Sequence, residues 1–521
     1  MNRATSINNL HSFNDLWDIT VIGGGATGVG IALDAASRGF KTLLLEQDDF
    51  GKGTSSRSTK LVHGGVRYLK QGDVSLVKEA LIERGLMRQN APHLVRNQSF
   101  IIPAYEWWEG PFYTIGLTAY DMMSGKLGFG SSGYLTREEV IRALPTINTS
   151  GLRGGVIYHD GQFDDTRMLI SMVQTCADQG GIVLNYMRVT ALVKENNKIT
   201  GVLATDLENN EQYHIKSRTV INATGVFADH VMKMDRPGVR DLIRPSQGVH
   251  LVLDREFLES DHAIMVPNTK DGRVLFAVPW YNRVVVGTTD TLVNDISLEP
   301  RALGQEIEFI LDTAGEYLSR IPSRHDVLSC FAGLRPLAAP EEEGQATKEI
   351  SRRHKILVSG AGLITVTGGK WTTYRKMAEE AVDQAIETGR LPGRSCITQK
   401  LHVHGYDTNV QAGSSPMSAY GLKAERLNEL EQENPAYSGY LSEKLSIKKV
   451  QVTWAVKEEM AIRLEDVLAR RTRALFLDAR ESISVAPEAA NLMAEELGKD
   501  KKWMDSQLES YSNLAKRYII N

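Results

Sequence analysis

Residues 18–46 read DITVIGGGATGVGIALDAASRGFKTLLLE, and this stretch decides the predicted fold. A β-branched run precedes three glycines, and a helical pattern starts at Ala26. Gly23, Gly25 and Gly28 fit the G-x-G-x-x-G spacing. In that motif the first glycine permits the turn, the second lets the backbone approach a pyrophosphate, and the third lets the helix pack on the strand. The helix N-terminus presents N–H groups to the anion, so the order strand, turn, helix predicts a dinucleotide-binding unit.

A carboxylate and a long polar loop follow this unit. The second strand ends at Glu46, about twenty residues past the glycines, where a ribose-binding acid is expected. The next residues, 53–65, read GTSSRSTKLVHGG. A nicotinamide that enters and leaves has no need of so long a wrapping loop, so the sequence favours FAD. The candidate cofactor contacts in the loop are Thr54, Ser55, Ser58, Lys60 and His63.

Composition bounds the class of protein. The chain has 521 residues, which predicts two or three domains, and its net charge of −4 gives no general attraction to nucleic acid. Cys176, Cys330 and Cys396 form no C-x-x-C pair, so we expect a reducing compartment, no structural disulfide, no cysteine-bound iron–sulfur cluster and no metal site. Residues 1–17 are polar. The sequence contains no run of about eighteen apolar residues, so we expect no membrane-spanning segment.

Three separated blocks resemble one enzyme family. The runs TSSRSTKLVHGGVRYL at 54–69, GLRPL at 333–337 and GGKWTTYRK at 368–376 resemble the FAD-dependent, quinone-linked glycerol-3-phosphate dehydrogenases. The resemblance extends from about 18 to 382 and resumes at 452–480. It implies oxidation of sn-glycerol 3-phosphate to dihydroxyacetone phosphate by hydride transfer from C2 to N5 of FAD, with electrons passed to a membrane quinone. We expect a cytoplasmic protein that is peripheral on the inner face of the cell membrane. The sequence leaves open whether the protein forms a homodimer.

The predicted fold is α/β. A Rossmann-like, two-dinucleotide-fold FAD-binding domain carries an inserted antiparallel-sheet substrate domain, because hairpin patterns replace the βα pattern in the middle of the chain. Helical spacing of apolar residues near the end predicts a C-terminal α-helical domain. The predicted ranges are 1–17 for a polar N-terminal extension, 18–95, 150–235 and 345–390 for the FAD-binding domain, 96–149 and 236–344 for the substrate domain, and 400–521 for the helical domain.

Further cofactor contacts are predicted beyond the first unit. A buried strand ends in an Ala-Thr-Gly turn with Ala223 and Gly225, which matches the second FAD signature of two-dinucleotide-fold flavoproteins. The family pattern adds a backbone contact near Val189 on the adenine side. It also adds the turn with Gly369 and Thr372, where a helix N-terminus would stabilise negative charge on the flavin.

Oxidation of an alcohol requires a proton acceptor. His250 matches the position of the family's active-site histidine, and histidine accepts protons near neutral pH. His63 competes for this role, although its place in the flavin loop suits cofactor positioning better.

The substrate phosphate requires cations. Arginine presents a planar fork that binds phosphate oxygens in bidentate fashion. Arg335 is the strongest candidate, because the resemblance places it over the flavin. It could instead contact the substrate oxygens at C1 and C2 and stabilise the alkoxide. The predicted substrate-binding residues are Arg67, Tyr68 and Arg352, and the predicted catalytic residues are His250, Arg335 and Lys370.

Several alternatives stay open. The aromatic stretch 107–113 fits either core packing, which we expect, or a quinone- or membrane-contacting surface. The C-terminal stretch 499–517 fits a solvated helix, which we expect, or a membrane-surface helix. Rival functions are an O₂-using α-glycerophosphate oxidase, an amine or amino-acid oxidase of the same fold, and a flavin-binding electron-transfer or sensor subunit.

Overall fold

The computed structural model describes residues 1–13, 15–65, 73–267, 269, 272–338, 354–413 and 415–520. Three predicted substrate contacts, Arg67, Tyr68 and Arg352, lie outside these ranges. In chain order the strands are β1 (Trp17–Ile22), β2 (Thr42–Leu45), β3 (Leu61–Val62), β4 (Val95–Ala104), β5 (Gly133–Thr136), β6 (Gly154–Phe163), β7 (Ile182–Leu184), β8 (Met187–Glu195), β9 (Lys198–Asp206), β10 (Gln212–Asn222), β11 (Ile243–Asp254), β12 (Ala263–Val266), β13 (Leu275–Trp280), β14 (Arg283–Gly287), β15 (Thr291–Leu292), β16 (Ser329–Ala338), β17 (Lys355–Val358), β18 (Ile364–Thr367), β19 (Tyr440–Ser442) and β20 (Ile447–Lys448). The helices are α1 (Arg3–Ser12), α2 (Ala26–Ser37), α3 (Val74–Asn90), α4 (Glu109–Ser124), α5 (Arg137–Ala143), α6 (Asp165–Asp178), α7 (Ala228–Asp235), α8 (Gly304–Tyr317), α9 (Tyr374–Gly389), α10 (Ala424–Glu433), α11 (Lys449–Glu458), α12 (Ala474–Leu477), α13 (Ala479–Leu497) and α14 (Lys501–Ala515).

The first sheet carries the glycine turn. Its strands run in the order β17-β18-β10-β1-β2-β7, and all neighbours from β18 to β7 are parallel. The chain extends β10 with the antiparallel strands β9 and β8. Helices α2, α6 and α9 contribute to one hydrophobic core on this sheet. At Gly30 in α2, a Cβ would lie 2.8 Å from the ring of Tyr374 in α9, so the two helices meet only because this position lacks a side chain. The predicted Rossmann-like domain is confirmed.

The second sheet is mainly antiparallel. Its strands run in the order β15-β11-β14-β13-β12-β4-β6-β3, with β16 paired to β11 and β5 paired to β6. Two strands of this sheet come from ranges predicted for the FAD-binding domain. Strand β6 pairs with β4 from Gly154 to Phe163, and β3 pairs with β6, so both belong to the second sheet. Their composition gave no sign of the pairing partner, because both sheets are buried.

The C-terminal domain is helical, with one small hairpin of β19 and β20. Its helices form a core that continues into the second sheet through Trp280 and Phe331. The ring of Phe331 lies 4.9 Å from that of Phe476 in α12. At the other end of the chain, α1 is anchored by Arg3, which donates to Asp206 Oδ1 at 2.8 Å.

Helix α4 contradicts the expected core packing of the aromatic stretch. Trp107 is 76% exposed, Ile115 is 74% exposed and Met122 is 78% exposed. Leu117 and Tyr120 face inward. No charged residue lies between Gly110 and Tyr120, so this helix is apolar on its outer side as well as on its inner side. No helix in the described ranges is long and apolar enough to cross a membrane.

Candidate active site

A cavity of about 690 Å³ lies where β1, β2, β10 and β18 end. The carboxyl ends of parallel strands are the usual ligand-binding edge of such a sheet. The short connections after these strands supply most of its wall. The predicted cofactor residues that line the cavity are Gly23, Gly25, Glu46, Thr54, Ser55, Val189, Ala223, Gly225 and Gly369, and Lys370 lines it as well.

The glycine turn has the geometry of a pyrophosphate cradle. Gly23 has a φ of +109°, and a Cβ there would lie 2.6 Å from the carbonyl oxygen of Ala223. Gly25 precedes α2 and provides no side-chain cap to it. A Cβ on Gly28 would lie 1.9 Å from the carbonyl oxygen of Gly23, so the third glycine packs the helix against the turn. The bare helix N-terminus and the side-chain-free wall fit a dinucleotide.

Glu46 provides a partly buried carboxylate on the cavity wall. Its Oε2 accepts the backbone N–H of Gly24 at 2.5 Å, and its Oε1 accepts that of Asp48 at 2.8 Å. Burial raises the pKa of Glu46 to about 7, although both hydrogen bonds act to lower it. A carboxylate in this place fits a ribose, because the hydroxyl groups of the ribose can donate hydrogen bonds to the carboxylate oxygens.

The polar loop is tied to the rest of the site by hydrogen bonds. Thr54 Oγ1 donates to the carbonyl oxygen of Leu334 at 2.6 Å, and Ser55 Oγ accepts the first N–H of α2 at 2.9 Å. Trp371 lines the cavity, and its indole N–H donates to the carbonyl oxygen of Ser55 at 2.9 Å. Sequence reasoning missed Trp371, although it lies in the GGKWTTYRK block.

Two other predicted cofactor contacts, His63 in the polar loop and Thr372 before α9, are joined to each other. The hydroxyl of Thr372 donates to the carbonyl oxygen of His63 at 3.3 Å. Neither residue is part of the cavity wall, so they position the loop against the start of α9.

Ser58 and Lys60, two predicted cofactor contacts, point to Asp165 in this structure. Ser58 Oγ and Lys60 Nζ each lie 2.7 Å from Asp165 Oδ2, and neither residue lines the cavity. Lys60 is fully buried, and burial lowers its pKa. Both side chains point to the N-terminus of α6 because Asp165 provides the only carboxylate within salt-bridge distance of Lys60 among the described residues. The sequence signal for this contact was the Asp-Asp pair that starts α6.

His250 lies in the middle of β11 and is 2% exposed. Its Nε2 is 2.8 Å from Thr59 Oγ1, and its ring stacks on Phe331 at 5.0 Å. Burial, followed by the nearby cations Lys60 and Arg335, lowers the pKa of His250 well below 6.5. The imidazole is therefore neutral at physiological pH.

Arg335 shares one face of the second sheet with His250. In the pairing of β11 with β16, Ser246 lies opposite Arg335 and His250 lies opposite Phe331. The guanidinium donates to Thr288 Oγ1 at 3.2 Å and to the carbonyl oxygen of Thr289 at 3.0 Å. His250 and Arg335 thus come together, but neither lines the described cavity, whereas Lys370 does.

The match to family models covers nearly the whole chain. Residues 18–375 match the family described as FAD dependent oxidoreductase. Residues 355–504 match the family described as C-terminal domain of alpha-glycerophosphate oxidase.

Curated relatives carry consistent names. The chain is 37% identical over 549 residues to a mitochondrial glycerol-3-phosphate dehydrogenase of Arabidopsis thaliana, covering 97% of this chain and 86% of the relative. It is 36% identical over 528 residues to the mitochondrial glycerol-3-phosphate dehydrogenase of Homo sapiens, covering 95% and 72% of the two chains.

Solved structures resemble this fold to different extents. The glycerol-3-phosphate dehydrogenase of Bacillus halodurans, complexed with FAD, has a TM-score of 0.80 and 27% identity over 99% of this chain and 98% of its own. The L-α-glycerophosphate oxidase of Mycoplasma pneumoniae has a TM-score of 0.59 and 16% identity over 75% of this chain and 99% of its own. The second likeness shows the fold alone.

Proposed function

The chain belongs to the family of FAD-dependent glycerol-3-phosphate dehydrogenases, and from this membership we propose how its residues oxidise sn-glycerol 3-phosphate to dihydroxyacetone phosphate. The observation that carries the proposal is the cavity with its glycine turn at the ends of β1, β2 and β10, next to the sheet face with His250 and Arg335. When bound, FAD supplies the acceptor for the hydride from C2.

We assign the cofactor to the cavity through the residues that fit it. The N-terminus of α2 and the glycine turn would hold the pyrophosphate, and Glu46 would hold the ribose. Thr54 and Ser55 would contact the cofactor from the polar loop. On another wall, Val189 in β8 and Gly225 in the turn after β10 line the cavity.

His250 is the proposed proton acceptor. It is neutral, and Thr59 fixes one ring nitrogen, which leaves the other for proton exchange. Arg335 and Lys370 supply positive charge, which stabilises the alkoxide that forms as the hydroxyl proton leaves. Arg67, Tyr68 and Arg352 remain the proposed contacts of the substrate phosphate, because arginine and tyrosine donors suit phosphate oxygens.

We further propose that electrons leave for a membrane quinone and that α4 contacts the membrane surface. The support is the outer face of α4, where Phe112, Ile115 and Met122 are exposed next to Trp107 and Trp108. An interfacial helix of this kind binds by burying its apolar face among lipid headgroups. The proposed location is the cytoplasm, at the inner face of the cell membrane.

Anaerobic reduction tests the proposed function. The FAD-bound protein is mixed with sn-glycerol 3-phosphate without oxygen, and the visible absorbance of the flavin is followed. We expect the absorbance to disappear. Glycerol, which lacks the phosphate, and glycine, which lacks the alcohol, should leave it unchanged. Bleaching by glycine alone would favour an amine oxidase, and no bleaching by any of them would favour a sensor subunit.

The electron acceptor needs a second measurement. After reduction, a soluble quinone analogue should reoxidise the flavin without forming hydrogen peroxide. Rapid reoxidation by oxygen, with one peroxide per substrate, would instead favour the oxidase.

A further inference from the structure

Residues 294–300 lie across one side of the cavity. We refer to them as the strap. The cavity is lined on this side by Ile296, Ser297 and Leu298. Two of them, Ile296 and Ser297, are also exposed to solvent. The strap joins β15 to the segment before α8 and has no helix or strand of its own. Something other than regular secondary structure must hold it in place.

One residue of the strap carries its hydrogen bonds to the rest of the molecule. Glu299 Oε1 is 2.7 Å from Arg57 Nη2, and Glu299 Oε2 accepts the hydroxyl of Tyr518 at 3.0 Å. The carbonyl oxygen of Glu299 accepts from Arg517 at 2.7 Å. Within the described residues, no other part of the strap makes a hydrogen bond outside the strap.

The partners of Glu299 come from opposite sides. Arg57 belongs to the flavin loop, where it also donates to the carbonyl oxygens of Lys52 and Gly53 on the cavity wall. Tyr518 belongs to the end of the chain, is 5% exposed, and packs edge to face on Phe476 at 5.5 Å. The C-terminal domain therefore reaches the mouth of the cavity through its last residues.

We propose that Tyr518 and Arg517 are positioning residues that hold the strap closed over bound FAD and slow its release. The proposal rests on the proposed placement of FAD in this cavity. Neither residue belongs to the cavity wall, so Arg517 acts on the cofactor through Glu299. Tyr518 acts through Glu299 and also through Arg57, whose Nη2 donates to the tyrosine hydroxyl at 3.2 Å. Loss of either residue's contact removes one hydrogen bond to the strap and leaves the strap held by the others.

Release of FAD tests this role without any substrate. The FAD-bound protein is diluted, and the rise of flavin fluorescence gives the dissociation rate. Tyr518→Phe removes only the hydroxyl, and we expect release about fivefold faster. Tyr511→Phe is the matched control, because its hydroxyl is equally buried in the same domain but bonds to Ser482 Oγ at 2.8 Å. It should release FAD at the wild-type rate.

A second pair of variants tests the strap without changing the buried ring of Tyr518. Arg517 and its neighbour Lys516 are both exposed. Arg517→Ala removes the donor to the strap backbone and should speed release about threefold, whereas Lys516→Ala should not. Wild-type release from both Tyr518→Phe and Arg517→Ala overturns the proposal, as does equal acceleration in the controls.

A third variant separates this proposal from the placement of FAD. Gly25 has an extended backbone, with φ −82° and ψ 179°, that any residue adopts. A Cβ there would lie 3.1 Å from Ser55 Oγ, so Gly25→Val keeps the backbone conformation but crowds the cradle. We expect it to abolish FAD binding. Normal FAD binding by Gly25→Val would refute the placement itself, and the strap proposal with it. If FAD is lost there and release stays unchanged in the tail variants, only the strap proposal fails.

Discussion

At the scale of single residues, His250 combines burial with a hydrogen bond to a loop hydroxyl. A neutral histidine that accepts the substrate proton contributes about a hundredfold or more to the rate. We therefore expect His250→Gln to keep its FAD but to be reduced by sn-glycerol 3-phosphate at least about a hundredfold more slowly. The measurement is the anaerobic bleaching rate per bound flavin.

His93 provides the matched control for this variant. It is 1% exposed, and burial lowers its pKa to about 4, so it is also a buried neutral histidine. It packs against Gly405 and Gly421, away from the sheet face that carries His250. His93→Gln should retain the wild-type bleaching rate per flavin. Equal rates in His250→Gln and the wild type would remove His250 as the proton acceptor.

The raised pKa of Glu46 predicts that the free energy of unfolding of the FAD-free protein depends on pH. Burial raises its pKa from 4.5 to about 7 in the folded state. Its contribution to stability is therefore fully present below pH 4.5 and is lost as the pH rises through about 7. The free energy of unfolding, relative to that of Glu46→Gln, should fall by about 3 kcal/mol across this window.

Urea unfolding of the apoprotein at several pH values measures this difference. A difference between the wild type and Glu46→Gln that does not vary with pH would show that the carboxyl group is well solvated in the folded apoprotein.

Sequence reasoning located backbone features of the site better than side-chain directions. The positions of Gly23 and Gly28 follow from steric rules that act within the turn, and the structure shows the close approaches that those rules require. Ser58 and Lys60 lie in the same polar loop as Ser55, yet they point to Asp165. That choice depends on α6, which comes more than a hundred residues later in the chain, and no local pattern reveals it.

At the scale of secondary structure, the local sequence predicts turns, but it does not predict which sheet a strand joins. Strands β8, β9 and β10 form an antiparallel meander, and its first turn holds Asn196 and Asn197 at φ values of 48° and 60°. Asparagine tolerates this left-handed region, so the turn is encoded where it occurs. Strand β6 gave no comparable signal, because its assignment depends on pairing with β4.

Helix α4 predicts binding to membranes through its exposed face. Ile115→Glu combined with Met122→Glu places charges where apolar side chains would enter the lipid headgroup region. We expect the double variant to bind phosphatidylglycerol-containing vesicles at least about tenfold more weakly in a sedimentation assay. Its reduction by sn-glycerol 3-phosphate in solution should not change.

The control for α4 is an exposed apolar residue elsewhere. Ile321 is 73% exposed and precedes β16, remote in sequence from α4. Ile321→Glu should bind vesicles as the wild type does. If the α4 double variant also binds normally, the membrane surface lies on another part of the molecule.

At the scale of the whole molecule, the C-terminal domain is joined to the FAD-binding domain by buried ion pairs. Asp49, on the loop after β2, accepts from Arg471 at 2.6 Å and 2.8 Å and also accepts from Arg470. Arg167 in α6 donates both terminal nitrogens to Glu459, at 2.8 Å and 2.7 Å. Three arginines in an otherwise apolar stretch, 467–477, were the sequence signal for this interface, but their partners lie hundreds of residues away.

These pairs make the stability of the FAD site depend on the C-terminal domain. Burial alone would raise the pKa of Asp49, but Arg471 and Arg470 hold it below 3.8. Its stabilising contribution is therefore present above pH 3.8 and is lost as the pH falls through the lowered value. At neutral pH the carboxylate is charged, and removing it takes from the buried guanidinium of Arg471 its closest carboxylate, which leaves only Glu459 at 3.8 Å. Arg470 loses one of its three carboxylate partners and keeps Glu465 and Asp466.

Asp49→Asn should therefore destabilise both domains together, by about 3 to 5 kcal/mol. Urea unfolding is followed by far-UV circular dichroism, which reports the helices, and by flavin fluorescence, which reports the cavity. Both transitions should shift equally. Arg426→Met, which breaks an exposed ion pair with Glu429 and Glu433 on α10, should shift neither. If Asp49→Asn released the flavin early while the helices unfolded at the wild-type midpoint, the two domains would be independently stable, and the ion pairs between them would only orient one against the other.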